Sequence, residues 1–385
     1  MTERVAYFDH GSTAPLRQSA LKAMKPYFNE KYGNASSVYS LGREARSAVD
    51  NARDTISGAL GAQSDEIIFT SGGTESMILS LVGAYAGNRH RGKHIITTAF
   101  EHHATHAIFD FLESAMGAEK EIVGIDSDGM VRLDELEEKI RDDTVLVSVM
   151  RVNNEIGTIQ DLERVVDICS PKGIIVHSDF VQAIGKTPVD FAKTGIDLAC
   201  AAGHKFGGPK GTGFLYIRKG TYLESICAGS HEYGVRSGTE NVPGIVGLAV
   251  AVAEAVKELP KLGKRLKGYK ERLWECISGT ERDAGTNGDQ SRCVPAVLNV
   301  RLPGVDSESL VLALDREGVA ASVGSACQTG SVEPSHVLTA IGLNRIDALS
   351  SFRLSMGYST TDEDVARFAE VFPAVYDRVK STVTT

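Results

Sequence analysis

Short apolar segments alternate with amphipathic segments between about residues 65 and 220 of this 385-residue chain. Uninterrupted apolar segments of this length are typical of strands in a buried parallel sheet, and the amphipathic segments between them are typical of the helices that cover it. The alternation therefore predicts an α/β fold. The predicted strands are 66–70, 93–98, 144–150, 173–179, 197–202 and 213–217, of which the last, short and rich in β-forming residues, could run antiparallel.

A second unit is predicted beyond Pro243, since a chain of this length can form two domains. Residues 325–335 form a loop rich in Gly and Ser that contains Cys327, and such loops often carry mobile catalytic groups. The other predicted elements of this unit are helices at 247–276, 307–317 and 361–380 and strands at 296–301 and 319–323.

The charge and the cysteine content exclude several classes of protein. The formal net charge of −9 argues against a dedicated nucleic-acid surface, and the basic residues from Lys261 to Arg272 have the helical spacing of a solvated face. The six cysteines show no CxxC spacing and no metal-ligand pattern. The N-terminus lacks an apolar signal segment, and no apolar stretch is long enough to span a membrane. We therefore expect a cytoplasmic protein with free thiols and no bound metal.

Lys205 and Asp179 are the strongest candidates for active-site residues. Lys205 lies in a loop of small residues, 201–213, and Asp179 ends a predicted buried strand. A buried lysine can lose its proton and form a Schiff base, and a carboxylate can keep a pyridine nitrogen protonated. The pair therefore predicts pyridoxal phosphate (PLP) as a cofactor. Either residue alone is more commonly a surface charge or a strand-end cap.

The segment 69–76 predicts a phosphate site. It passes from a strand through two glycines, the second of which is Gly73, to a helix that begins near Thr74. Backbone N–H groups at a helix N-terminus suit a phosphate, and small residues allow it to approach closely. His204 and Thr239 could add donors to the same phosphate. An ordinary capped helix start is the alternative.

Further polar side chains follow predicted strands, where open α/β sheets bind ligands. His102 could stack on a planar ring or transfer a proton, or be structural, and Asn154 and Gln182 offer neutral hydrogen bonds. Arg353, within an apolar segment, requires a carboxylate partner, which is either a substrate or a protein side chain. Cys327 is flanked by Gly, Ser and Thr, which favours a reactive thiol over an inert buried one.

Taken in order, these segments resemble the class V aminotransferase family, and within it the cysteine desulfurases. The resemblance extends from Tyr7 to Gly357, and the segment from Cys327 to His336 is similar to that of the group I subtype. The motifs that carry it are Asn153-Asn154-Glu155-Ile156-Gly157, Gly203-His204-Lys205, Gly208-Pro209-Lys210-Gly211, Arg236-Ser237-Gly238-Thr239 and Gly324-Ser325-Ala326-Cys327.

The resemblance implies a role for each candidate residue. Lys205 would bind PLP covalently, Asp179 would pair with its ring nitrogen, and Cys327 would attack the sulfur of the substrate. His102 would stack on the ring and take part in catalysis, and Gln182 would contact the phenolic oxygen. The phosphate would be bound by Gly73, Thr74, His204 and a partner subunit's Thr239. Asn154 would contact the cofactor and, together with Arg353, hold the substrate carboxylate.

The resemblance also implies a fold and a reaction. The fold would be PLP fold type I, with a mostly parallel seven-stranded sheet in a large domain (15–258) and a smaller α+β domain (1–14 and 259–385) that carries the cysteine loop. A homodimer would convert L-cysteine to L-alanine. It would form a persulfide on Cys327 and pass the sulfur to an acceptor, such as an iron–sulfur scaffold protein.

Several positions depart from the pattern of the family. Ala202 stands where a phosphate-binding serine is usual, Met77 where Asn or Asp is usual, Gly207 where Tyr is common, and 228–230 replaces a glycine-rich triplet. We expect these changes to alter cofactor affinity and not to abolish catalysis. The alternatives are a selenocysteine lyase, a specialised sulfur donor for tRNA, cofactor or DNA thiolation, and a catalytically weak homologue that acts as a regulator.

Overall fold

The computed structural model of the protein describes residues 4–227, 229–323 and 333–383. The predicted nucleophile, Cys327, lies outside these described residues. Within them the strands are β1 (Ala6–Tyr7), β2 (Ile67–Thr70), β3 (His94–Thr98), β4 (Glu119–Val123), β5 (Thr144–Ser148), β6 (Ile175–Asp179), β7 (Leu198–Ala202), β8 (Gly213–Ile217), β9 (Gly285–Thr286), β10 (Val297–Arg301), β11 (Val319–Ala320) and β12 (Ser351–Ser355).

Seven of these strands form one sheet in the order β2-β8-β7-β6-β5-β3-β4. β8 runs antiparallel to both of its neighbours, and the other neighbouring strands are parallel. The predicted α/β class and mostly parallel seven-stranded sheet are therefore confirmed. The sequence pattern does not predict β4, because this edge strand consists mainly of polar, partly exposed residues. The predicted strands of this sheet otherwise end within two residues of those observed.

Amphipathic helices cover the sheet, as the period of their buried residues requires. The helix predicted at 247–276 is longer than expected, because Asn241 accepts a hydrogen bond from the N–H of Gly244 at 3.1 Å and Pro243 fits the first turn. The helices are α1 (Gln18–Met24), α2 (Pro26–Asn29), α3 (Ser40–Leu60), α4 (Gly73–Met77), α5 (Gly83–Asn88), α6 (His103–Met116), α7 (Leu133–Lys139), α8 (Leu162–Cys169), α9 (Phe191–Thr194), α10 (Val242–Thr280), α11 (Ser307–Arg316), α12 (His336–Ala340), α13 (Arg345–Leu349) and α14 (Asp362–Val383).

Two smaller sheets bring the N-terminal segment to the C-terminal part of the chain. β9, β10 and β12 form an antiparallel sheet, and β1 pairs in parallel with β11. Asp9 then forms a β-bridge with Ser355, and the N–H of Gly11 donates to the Ser355 hydroxyl at 2.8 Å. Residues 9–12 are therefore held beside β12, which carries Arg353. The predicted domain boundary at residue 258 falls inside α10, and the domain limits remain a prediction. No helix in the described ranges is both long and apolar enough to cross a membrane.

Gly207 has a structural reason to be glycine in this chain. Its φ of +90° is unfavourable for other residues, and a Cβ atom there would lie 2.7 Å from Cγ of Arg17 and 2.8 Å from Cε1 of Tyr358. The Arg17 guanidinium stacks on the Tyr358 ring at 4.1 Å and donates to the carbonyl of Phe206 at 3.1 Å. This pair occupies the space that a tyrosine at position 207 would need.

Gly207→Ala is expected to destabilise the protein more than a matched glycine substitution does. Gly211 also has a positive φ, +72°, but nothing lies within 4 Å of its Cβ position. Gly211→Ala therefore adds backbone strain alone, whereas Gly207→Ala adds overpacking that costs about 1–3 kcal/mol more. Urea denaturation of both apo-variants measures the difference. Equal losses would show that Arg17 and Tyr358 move aside without a penalty.

Candidate active site

A cavity of about 280 Å³ opens at the carboxyl ends of β6 and β7. It lies where open parallel sheets commonly bind ligands. Thr239 is exposed and is not among the described residues that line it, and Cys327 lies outside the described part of the chain. The residues named from the sequence that do line the cavity are Gly73, Thr74, His102, Asn154, Asp179, Gln182, His204, Lys205 and Arg353.

Lys205 projects from the turn that follows β7 and is held by backbone. Its Nζ donates to the carbonyl oxygens of Gly11 at 2.7 Å and Ser12 at 2.8 Å. Burial, with the nearby charge of Arg353, lowers the pKa of Lys205 to about 8. A sizeable fraction of this amine is therefore neutral near physiological pH. Since a neutral amine has two N–H groups and one lone pair, the two carbonyls leave the lone pair available for reaction.

Asp179 is the last residue of β6 and is almost completely buried, with 4% of its surface exposed. Its Oδ1 accepts a hydrogen bond from the N–H of Val181 at 2.7 Å. Burial raises the pKa of Asp179, while this hydrogen bond and the charges of His102 and Lys205 favour the carboxylate. A buried carboxylate beside a cavity suits a cationic ring nitrogen, because the cation offsets the cost of desolvating it.

His102 caps the N-terminus of α6 and is oriented by it. Its Nδ1 accepts a hydrogen bond from the N–H of Ala104 at 3.1 Å, which places the proton of the neutral ring on Nε2. The His102 side chain lines the cavity and is partly exposed, and the partial desolvation of its ring lowers the pKa of His102. A neutral imidazole at this place can stack on a planar ring and exchange a proton.

The end of the cavity near α4 combines backbone donors with apolar walls. Gly73 and Thr74 open α4, and a Cβ atom at Gly73 would lie 2.8 Å from Cγ2 of Val181. Ala202 and Met77, two of the departures named from the sequence, also line the cavity. Fewer side-chain donors are therefore available to a phosphate at this end, as expected from the sequence.

Arg353 pairs with a protein carboxylate and also lines the cavity. Its guanidinium is 3% exposed and donates to Asp9 Oδ1 at 2.7 Å and to the Asn154 carbonyl at 2.7 Å. The side-chain Oδ1 of Asn154 is buried and has no hydrogen-bond partner among the described residues. Since buried polar atoms are normally paired, this amide fits a ligand contact.

The sequence analysis does not single out several cavity residues, among them Gly11, Ser12, His103 and His336. Gly11 and Ser12 act through backbone carbonyls, which carry no side-chain signal. His103 and His336 line the cavity with their ring centroids 4.3 Å apart. The position of His103 next to His102 in the sequence could have indicated that it lies at the cavity. In the described ranges, no group of three or more His, Cys, Asp or Glu side chains is arranged to hold a metal ion.

Comparisons with known proteins identify the family. The family model described as aminotransferase class-V matches residues 6–368. A cysteine desulfurase IscS of Methanosarcina thermophila is 43% identical over 379 residues, which cover 98% of this chain and 93% of that protein. A protein of the same name from Dictyoglomus turgidum is 42% identical over 380 residues, covering 98% and 96%.

Solved structures with the same fold cover nearly the whole chain. A NifS-like protein is 36% identical, with a TM-score of 0.91, and the match covers 97% of this chain and 100% of that one. The structure described as SspA in complex with cysteine is 31% identical, with a TM-score of 0.81, and the match covers 92% and 99%.

Arg353→Ala is expected to weaken the apparent affinity for L-cysteine by about 30-fold or more, because losing a buried charge-assisted contact costs about 2–5 kcal/mol. Arg301→Ala is the control, since Arg301 lies on the neighbouring strand β10 and pairs with Asp347 at 3.5 Å, away from the cavity lining. Titration of the purified holo-variants with L-cysteine measures the affinity. A loss of stability with unchanged affinity would make Arg353 only the ion-pair partner of Asp9.

Proposed function

This chain belongs to the class V aminotransferase family as a PLP-dependent cysteine desulfurase, and from that premise we propose that its cavity holds PLP on Lys205 and delivers the sulfur of L-cysteine to Cys327. The observation that carries the proposal is that nine residues named from the sequence, drawn from several distant segments, line one cavity. Among them, the low pKa of Lys205 and the buried carboxyl of Asp179 supply the two features that this cofactor requires.

The residues of the cavity fit PLP. Asp179 would hold the ring nitrogen protonated, His102 would lie against the ring, and Gln182 would donate to the phenolic oxygen. Thr74 and His204, together with the backbone of Gly73, would bind the phosphate. When bound, PLP supplies a carbonyl carbon for an amine and a ring that accepts electrons from the substrate.

Proton transfer in the cavity falls to Lys205. Its amine is partly neutral at physiological pH and is anchored by the carbonyls of Gly11 and Ser12. When the substrate amine has replaced Lys205 on the cofactor, the free amine of Lys205 can take a proton from the substrate carbon that bears the carboxylate. It can then return a proton to the product. The two carbonyls that accept from the free amine hold this base beside the cavity, which contributes to the rate through proximity.

Substrate binding and sulfur transfer use the other wall of the cavity. Arg353 and Asn154 would hold the carboxylate of L-cysteine. The thiolate of Cys327 would attack the substrate sulfur, so that an S–S bond forms on the protein as the C–S bond breaks. The electron pair of the C–S bond stays with the substrate carbon, which is protonated to give L-alanine.

A homodimer completes the proposed site. Thr239 is exposed in the single chain and does not line its own cavity, which supports a role in the cavity of a second copy. Four large apolar side chains are also exposed on one segment, which is typical of an interface. They are Phe28, Tyr32, Val38 and Tyr39. We further propose a cytoplasmic enzyme that passes its sulfur to an acceptor protein for iron–sulfur assembly.

Cys327→Ser is expected to stop sulfur transfer while leaving the cofactor spectrum intact, because a hydroxyl is a poor nucleophile toward sulfur. Cys227→Ser is the control, since Cys227 is exposed and lies outside the cavity lining. The assay is L-alanine release, with mass spectrometry of the peptides after incubation with L-cysteine. Wild type and the control should carry an extra sulfur atom on Cys327. Persulfide on another cysteine, with full turnover by Cys327→Ser, would contradict the assignment.

A further inference from the structure

We infer that Lys186 is a positioning residue that orients the side-chain amide of Gln182, so that Gln182 presents an N–H group to the cofactor cavity. Lys186 is not among the residues that line this cavity, and the reaction described above does not use it. Its ammonium group is nevertheless hydrogen-bonded to Oε1 of Gln182. The inference rests on the proposed function, since it concerns how the cavity binds PLP.

A tight turn after β6 brings Lys186 to Gln182. The N–H of Lys186 donates to the carbonyl of Ala183 at 3.0 Å, and Gly185 within the turn has a φ of +74°. A Cβ atom at Gly185 would lie 3.0 Å from Cβ of Ala255 on α10, so the turn packs closely against that helix. The backbone thus returns after four residues and places the lysine beside the amide.

The hydrogen bonds allow only one orientation of the amide. The two ends of a glutamine amide have nearly the same shape, so their partners decide which end faces which way. A backbone carbonyl can only accept, so the amide nitrogen must face Gly11, and Oε1 must face Lys186, whose Nζ donates to it. At the other end, Nε2 donates to the carbonyl of Gly11 at 2.8 Å. Lys205 donates to the same carbonyl, so the amide N–H group is fixed beside the reactive amine.

The surroundings of Lys186 argue against a role in stability alone. Within the described part of the chain, no carboxylate lies within ion-pair distance of Lys186, and the charges near it belong to Lys205 and Arg353. The rings of His10 and His204 also lie near it, and burial lowers the pKa of each ring to about 4. A small cavity of about 20 Å³ lies between Lys186, Lys205 and His10, which are among the residues that line it. Burial and the two neighbouring cations lower the pKa of Lys186 to about 7. Enclosing an amine without an ion-pair partner destabilises a fold, and an anionic ligand in the cavity would offset that effect.

Lys186→Met tests the inference, because methionine has a similar length and neither donor nor charge. It should be compared with Gln182→Ala, the double variant, and Lys257→Met on the exposed surface of α10 as a control. Three properties are measured on the purified proteins. They are the rate of PLP loss from the holoenzyme, the pH midpoint of the cofactor absorbance, and the melting temperature of the apo-protein.

We expect Lys186→Met to lose PLP about threefold to tenfold faster than wild type, the range for one neutral hydrogen bond. Its absorbance midpoint should shift in the same direction as that of Gln182→Ala, and the double variant should match Gln182→Ala within about twofold. The apo-protein should melt no lower than wild type. Additive effects in the double variant, or wild-type PLP retention in Lys186→Met, would overturn the inference. If wild type itself binds no PLP covalently, the proposed function fails instead.

Discussion

The hydrogen bonds between Lys205 and the N-terminal segment determine the geometry of the site. The carbonyl of Gly11 accepts from both Lys205 and Gln182, and Ser12 accepts from Lys205 through its carbonyl and from Arg353 through its hydroxyl. Gly11 is fixed to β12 through Ser355. The amine of Lys205, which follows β7 of the large sheet, and the guanidinium of Arg353, on β12 of the small sheet, are therefore joined by one short stretch of backbone. A displacement of this stretch would move both groups.

The charges around this backbone explain how one cavity can suit both an anionic cofactor and an amine that must be neutral. Lys186, Lys205 and Arg353 are close enough to lower the pKa values of the two lysines. A neutral amine can react with a carbonyl carbon, whereas a cation cannot. The guanidinium of Arg353 can hold a carboxylate. The carboxyl group of Asp179 lies at the end of β6, where the charges of His102 and Lys205 favour its ionised form.

The sequence predicts those parts of the molecule whose pattern is local. Buried strands and the polar residues that end them were predicted because apolar segments and strand-end side chains are visible in a single chain, as at Asp179 and His102. β4 was missed because its edge position allows polar residues. The contacts of Lys205 with the carbonyls of Gly11 and Ser12 were missed because they join distant segments through backbone atoms. The pairing of Asp9 with Arg353 was missed because it also joins distant segments. The proposed role of Thr239 would involve a second chain, so the contacts of a single chain do not test it.

The most direct test of the account is to identify the lysine that reacts with PLP and the pH at which it does so. Apo-protein is mixed with PLP at a series of pH values, reduced with borohydride and mapped by mass spectrometry. Because burial lowers the pKa of Lys205 to about 8, labelling should rise as the pH increases through about 8 and should occur on Lys205. Labelling of Lys186 instead, or a midpoint near that of an ordinary lysine, about 10.4, would contradict the account.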